Sequence, residues 1–447
     1  MSTREIVTLQ IGHYANFVGT HWWNIQVYKL ESTLVYNNLR QLTGPKEINH
    51  DVLFREGQTL HGEVTYTPRL IAVDLKGSLN ALRREGILYE SRQGGRKKSE
   101  TEDAVFGRKL YNLDNNVSVW SDFLRVHLHP KSLHIVDDFI HKNEDQTWDM
   151  FQLRFHMLLD WCDGLGYGAS LLQYLEGEMH KQGSDDIWGH LETFPHLSYK
   201  GELDYHTSGI MAACLDTLSL PYRREGFATQ LADITASFNN LGRKVAAVYS
   251  SLPFPLTPQG TFVESLMSHK DHPPWYSLTP HVGTCLDPYM QSCVVRGVPD
   301  HKITRSQPTP DIPRILTGCS SLAEVLHLYL SETYPQSLNA GCTMRDACKV
   351  VSPYPHVFSS NVTSSGYICD TDRPSYQGVE SVPVMTSLQS NDSVYNLTSS
   401  LHNEASRFNI KKHHHYLEAG LEEDEYRETL DNVSTLGQCY KTDTSIS

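Results

Sequence analysis

The sequence predicts an α/β protein, with a doubly wound, mostly parallel sheet domain in the first half and a separate α+β layer in the second. Three observations predict it. The apolar run Arg4–Ile11 stops at Gly12, and the run Leu70-Ile-Ala-Val-Asp74 ends in a carboxylate, as buried parallel strands do where their carboxyl ends meet a ligand. Segments of helical period separate such runs. The glycine-rich stretch D-G-L-G-Y-G-A-S, Asp163 to Ser170, stands between a strand pattern and a helix pattern.

Taken in order, Arg4–Ile11 reads as a strand, and Asn16 to about Leu42 as a helix carrying Trp22, Trp23, Val27 and Leu30 on or near one face. Asp51–Phe54 is a short extended piece, and Leu70–Asp74 is the buried strand. Residues 91–116 are polar and rich in Gly, Lys and Glu, a composition that predicts a flexible loop. Phe155–Leu159 is a strand leading into the glycine turn and a helix over Leu171–Met179, followed by a strand at Ile187–Leu191. His206–Leu218 has helical spacing, as does Leu231–Phe238, and Lys244–Tyr249 is a strand ending at Pro253-Phe-Pro-Leu256. Pro-rich loops fill 271–281 and 307–313, with a strand at Ser292–Gly297 between them. Residues 355–400 are rich in Ser and Thr and show little period. A last helix is expected from about Glu418 to Tyr440, with its early acids matched to the helix dipole. The expected domains are 1–205, 206–400 and a helical tail at 401–447.

Composition excludes several functions. A net charge of −14 argues against general nucleic-acid binding, which needs a basic face. The one dense basic cluster, Arg92–Lys98, sits beside Glu100–Asp103 and reads as a solvated loop. There is no run of about 18 apolar residues, so no transmembrane helix is expected. The N-terminus has no apolar signal core and no Gly at position 2, and the C-terminus is no prenylation box. Nine cysteines without a C-x-x-C pair suit reduced cytosolic thiols. On that reading the sequons at Asn116, Asn361, Asn391, Asn396 and Asn432 are chance matches.

Three elements could build a phosphate site: Gly12 with the amides after it, Asp74 as a Mg²⁺ ligand, and Gly164, Gly166 and Gly168 at a helix start. No G-K-[ST] follows the glycine run, which excludes a Walker A loop. Asp74 precedes the run, which weakens a Rossmann reading. Asp160 and Asp163 are a candidate acid/base pair, but a carboxylate at a phosphate cradle repels phosphate. His127 and His129 are expected on one strand face without a third metal ligand at a standard spacing, and His413–His415 reads as a surface feature. Neither G-x-S-x-G nor H-E-x-x-H occurs.

Longer stretches carry a resemblance. R-E-I-V-T-L-Q-I-G (Arg4–Gly12) resembles the first strand of tubulins, and Y-T-P-R-L-I-A-V-D-L (Tyr66–Leu75) resembles their segment ending in a Mg²⁺-associated aspartate. Pro253–Leu256 and Val295–Gly297 are similar to segments of the second tubulin domain, and His415–Tyr426 to the start of its acidic C-terminal helix. Trp22-Trp23, G-Q-T-L-H-G (Gly57–Gly62), Y-T-P-R (Tyr66–Arg69), W-S-D-F-L-R-V-H-L-H-P (Trp120–Pro130) and P-Y-P-H-V-F-S-S (Pro353–Ser360) resemble the Misato family of tubulin-related proteins. The resemblance covers almost the whole chain. It implies a tubulin/FtsZ-like fold with a nucleotide-type domain, a central helix near 206–218, a smaller second domain and a C-terminal helix.

The resemblance implies GTP with Mg²⁺ as cofactor, but the carry-over of the pocket is partial. Gly12, Asn16, Asp74, Gly164, Gly166 and Gly168 match pocket positions, with Asp74 as the metal-associated aspartate. His13 stands where tubulins carry glutamine and Tyr14 where they carry cysteine, and Asp163, Leu165 and Tyr167 replace small or hydroxyl residues. The middle phosphate loop has no counterpart in 91–130, and the catalytic loop of the second domain is unrecognisable near Leu231–Ile234. The stretch from Asp138 to Phe155 is short for the family. The implied role is non-enzymatic regulation of mitochondrial distribution, morphology and fusion. It is exerted from the cytoplasm at the mitochondrial outer membrane, through outer-membrane proteins and peripheral attachment. Two alternatives stay open: a GTP-binding switch with weak or no hydrolysis, and a tubulin-biogenesis or spindle-assembly factor whose partners are the cytosolic chaperonin and tubulin.

Overall fold

The computed structural model describes residues 5–39, 48–58, 64–79, 113, 116–126, 128–140, 194–225, 229–269, 272–279, 282–304, 313–407, 411 and 422–441. The chain forms two compact units, each assembled from three separate segments. The first comprises 1–143, 196–228 and 347–383, and the second 144–195, 229–346 and 384–447.

The first unit opens with strand β1 (Thr8–Ile11), shorter than the expected 4–11, and helix α1 (His13–Leu39) follows after one residue. That residue is Gly12. Its φ of 97° is open to glycine, and its carbonyl accepts the first helical bond from the Asn16 N–H at 3.1 Å. The helix therefore starts three residues before the expected Asn16. The expected extended piece at Asp51–Phe54 is instead a 3₁₀ turn over His50–Val52, capped by the Asn49 side chain, and extended structure begins at Phe54. Strands β2 (Phe54–Gln58) and β3 (Val64–Pro68) form an antiparallel pair. Strand β4 (Leu70–Lys76) lies between β1 and β5 (Leu133–Ile140) and is parallel to both. His129 lies in the coil before β5 rather than on a strand face, and His127 is outside the described residues.

Helix α1 does not show the one-sided apolar face the sequence suggests, because every residue from Ala15 to Gln26 is buried. Several of the polar residues among them have partners. The His21 Nε2–H donates to the Tyr205 carbonyl at 3.0 Å, and Asn24 bonds the Phe123 carbonyl and the Arg125 N–H. Helix α2 (Asp204–Leu218) is equally deep and is followed by the one-turn helix α3 (Leu220–Arg223). Asp216, fully buried, accepts from Lys29 at 2.6 Å, Gln26 at 2.7 Å and Arg223 at 2.9 Å, which joins α1, α2 and α3.

The second unit begins its described core with α4 (Leu231–Phe238) and β6 (Ala247–Ser251), three residues later than the expected start. Helix α5 (Phe262–Met267) and the two-residue strand β7 (Tyr276–Ser277) follow, the latter inside a stretch expected to be loop. Then come β8 (Met290–Arg296), α6 (Arg314–Thr317), α7 (Leu322–Thr333) and β9 (Leu338–Met344). The chain next returns to the first unit for the small antiparallel pair β10 (Cys348–Lys349) and β11 (Ser381–Val382). It re-enters the second unit with β12 (Val384–Ser390), α8 (Val394–Arg407) and α9 (Glu423–Gln438).

The main sheet of the second unit runs β7-β6-β12-β8-β9. Its middle strand, β12, is antiparallel to both neighbours and falls in the region 355–400 that reads as aperiodic. The reason is physical. β12 buries polar side chains, some of them bonded to groups of neighbouring strands: Gln389 donates to Gln291 of β8 at 3.2 Å, Gln291 to Asn339 of β9 at 2.7 Å, and Asn391, just past β12, to the Tyr249 hydroxyl at 2.9 Å. A strand buried on both faces with satisfied amides shows neither alternation nor an apolar run. Helix α9 packs on α8, where Gly437 leaves room for Thr398. The Tyr440 hydroxyl donates to the Val245 carbonyl and accepts from its N–H, both at 2.6 Å.

Candidate functional site at the carboxyl end of the parallel strands

Gly12, His13, Asn16 and Asp74 converge where β1 and β4 end. The β4 register places Asp74 one residue beyond Val73, whose carbonyl accepts the Gly12 N–H at 3.0 Å and the Asn16 amide at 3.0 Å. Asn16 also donates to Asp74 Oδ2 at 2.9 Å. The expected residues are thus neighbours, held by the strand ends and the first turn of α1.

The carboxylate is closed by a residue that the sequence showed only as part of a motif. Trp120 donates its indole Nε1–H to Asp74 Oδ2 at 2.8 Å. The Leu75 N–H takes Oδ1 at 2.8 Å, and His13 Nδ1 lies 3.6 Å from Oδ2. Asp74 is 1 % exposed. Burial alone would raise its pKa, but His13, Asn16 and the Leu75 amide together outweigh burial and hold the carboxyl below its ordinary range.

Trp120 is placed by its own surroundings. It sits in a 3₁₀ turn over Trp120–Asp122, where the Asp122 carboxylate accepts the Ser118 and Val119 N–H groups at 2.9 and 3.0 Å. Its ring belongs to a buried aromatic cluster with Phe17, Phe123 and Tyr205. The available signal was that a buried tryptophan seeks an acceptor for its N–H. The acceptor lies 46 residues away, so spacing could not reveal it.

The remaining replacements are also engaged. The His13 ring packs edge-on against Phe17 at 5.0 Å, and the Tyr14 hydroxyl donates to Thr207 at 3.1 Å. Gly164, Gly166, Gly168, Asp160, Asp163 and the stretch 141–155 lie outside the described residues, as do His413–His415. Among the described residues no group of three or more His, Cys, Asp or Glu could hold a metal ion. No helix among them is long and apolar enough to cross a membrane.

The family model for the Misato Segment II tubulin-like domain matches residues 4–125, the segment that supplies Gly12, Asp74 and Trp120. Protein misato homolog 1 of Mus musculus is 30% identical over 561 aligned positions, which cover 99% of this chain and 99% of that protein. The chain belongs to the Misato family. Protein misato homolog 1 of Homo sapiens is 28% identical and Protein misato of Drosophila melanogaster 25%, each covering 98% of both chains. The aligned length exceeds the 447 residues here, so the mouse relative carries more than a hundred positions that this chain lacks. The fold is tubulin-like: a parallel sheet with its helices in the first unit, and a mixed sheet with helices in the second.

For a Misato-family chain the implied ligands are GTP and Mg²⁺, and the bonding of the Asp74 carboxylate does not fit the metal. A cation at Asp74 would meet the positive ends of the Trp120 and Asn16 N–H groups, which already point at Oδ2. The Gly12 amide is bonded to the Val73 carbonyl, as part of the strand-end pairing. What this arrangement does is fasten β4, α1 and the Trp120 turn to one another.

Proposed function

We propose that this chain is a tubulin-like, non-enzymatic regulator of mitochondrial distribution, morphology and fusion, working in the cytoplasm at the mitochondrial outer membrane. Membership of the Misato family supports the setting, through what the sequence resemblance implies. One observation supports the non-enzymatic part. The carboxylate that would serve the metal is bonded by Trp120, Asn16 and the Leu75 amide instead. Phosphoryl transfer depends on preorganised positive groups around the phosphates, and here the Gly12 N–H and the Asn16 amide are bonded to the Val73 carbonyl. Attachment to the membrane is peripheral and through outer-membrane proteins. The cytosolic chaperonin and tubulin are the partners of the alternative, biogenesis reading.

Nucleotide analysis of the freshly purified chain tests this reading. The expected result is no co-purifying guanine nucleotide and no calorimetric heat with GTP and Mg²⁺. Stoichiometric GTP would replace the proposal with the switch reading. Proximity labelling in cells supplies the second arm. Recovery of mitochondrial surface proteins is expected, and recovery of only chaperonin subunits and tubulin would favour the biogenesis factor.

A further inference from the structure

In the first unit, α1, the segment after Trp120 and the chain from β10 onward line a recess open to solvent. His21, Asn24 and Tyr28 line it from α1 at positions i, i+3 and i+7, one face of the helix. Arg125, Lys349 and Ser352 line it from the other segments. None of the residues involved belongs to the strand-end site.

The recess has a definite electrostatic character. Its lining includes two cations, Arg125 and Lys349, and no Asp or Glu. In a chain of net charge −14, such a place is where an anion can approach without meeting carboxylates. The cations are also positioned. The Asn24 side chain accepts the Arg125 N–H at 2.9 Å, fixing that backbone against α1. The guanidinium reaches across to the Ser352 carbonyl at 3.2 Å. Lys349 is held by the β10–β11 pairing with Ser381. Burial pushes His21 down to about 3, and its Nε2–H is bonded to the Tyr205 carbonyl, so the ring is neutral and Arg125 and Lys349 are the only charged groups among the described lining residues.

We propose that this recess binds a phosphate group, either as free phosphate or as the phosphomonoester headgroup of an anionic lipid. An arginine and a lysine lining one recess match a compact dianion. The site is independent of whether the strand ends take nucleotide.

The test uses the full chain, with inorganic phosphate in calorimetry and with flotation on phosphatidylcholine vesicles with and without phosphatidic acid. Saturable phosphate binding is expected, and Arg125→Gln and Lys349→Gln should each weaken it about ten-fold. Lys76→Gln, at an exposed lysine outside the recess, should leave it unchanged. Flotation that needs phosphatidic acid and is lost in both recess variants identifies the lipid source. Phosphate binding without flotation identifies the free anion. The proposal is overturned if neither probe binds, if the recess variants bind like the parent, or if Lys76→Gln weakens binding equally. Unchanged thermal midpoints in the variants separate a lost site from a lost fold.

Discussion

A single carboxylate sets the character of the strand-end site. Asp74 accepts from Asn16 at 2.9 Å, Trp120 at 2.8 Å and the Leu75 N–H at 2.8 Å in a place closed to water. Asp74→Ala would leave the Asn16 and Trp120 N–H groups pointing into a dry gap, and each unsatisfied buried donor costs about 1–3 kcal/mol. The expected loss is therefore about 2–4 kcal/mol, read by denaturant unfolding, with tryptophan fluorescence reporting the freed indole. A variant as stable as the parent would show that the carboxylate carries no structural load. The pH dependence follows from the depressed pKa of Asp74. Its stabilisation is complete above the ordinary carboxylate value of about 3.9 and is lost as pH falls through the lower folded value. The stability gap between parent and variant should hold at neutral pH and start to close below about pH 4. From sequence, the aspartate at a strand end was legible because burial pattern and position along β4 announce it. Its tryptophan partner was not, since only the folded chain brings the two together.

At the scale of elements, legibility followed how each segment meets its neighbours. β4, α2 and α4 could be read closely because their local patterns match their environments. The one-face reading of α1 failed where the helix is enclosed on all sides, and β12 hid behind a polar face whose amides satisfy each other across the sheet. Close approach is a further property of elements that a lone glycine only hints at. Gly209 in α2 faces the chain around Pro355, and a methyl built there would lie 2.7 and 3.0 Å from two proline ring carbons. That chain cannot simply retreat. The Tyr354 hydroxyl donates to the Gly209 carbonyl at 2.9 Å, and the Tyr205 hydroxyl to the Pro353 carbonyl at 2.6 Å. Intrinsic helix propensity favours alanine over glycine by about 1 kcal/mol, while overpacking costs about 1–3 kcal/mol. Gly209→Ala is expected to lower stability by about 1 kcal/mol net, measured by thermal or chemical denaturation. A stabilised variant would show that propensity outweighs the clash and that the packing is looser than the distances imply.

At the scale of the molecule, the chain keeps the tubulin-like frame while the described parts of its chemistry are turned to other uses. In the first unit Gly12, Asn16 and Asp74 remain together, with the Gly12 N–H and the Asn16 amide N–H bonded to Val73 and the Asp74 carboxylate to Asn16 and Trp120, while Asn16 Oδ1 is buried without a partner among the described residues. In the second unit the acid of α4, Asp233, accepts the Gln230 N–H at 2.7 Å and serves as the helix's own cap. An assembly cycle driven by nucleotide needs a ligand whose hydrolysis changes the affinity of subunits for one another, and a ligand with no differential binding shifts no equilibrium. On the proposed function, Asp74 bonded to Asn16, Trp120 and the Leu75 amide leaves a metal-dependent cycle unsupported. The purified chain is therefore expected to keep the same sedimentation coefficient with and without GTP and Mg²⁺. Asp74→Asn, which removes the charge a metal would need while retaining an acceptor for Trp120, should behave identically. Nucleotide-dependent growth of a fast-sedimenting species in the parent, abolished by Asp74→Asn, would mean that the carboxylate opens to a metal and that the frame still assembles under nucleotide.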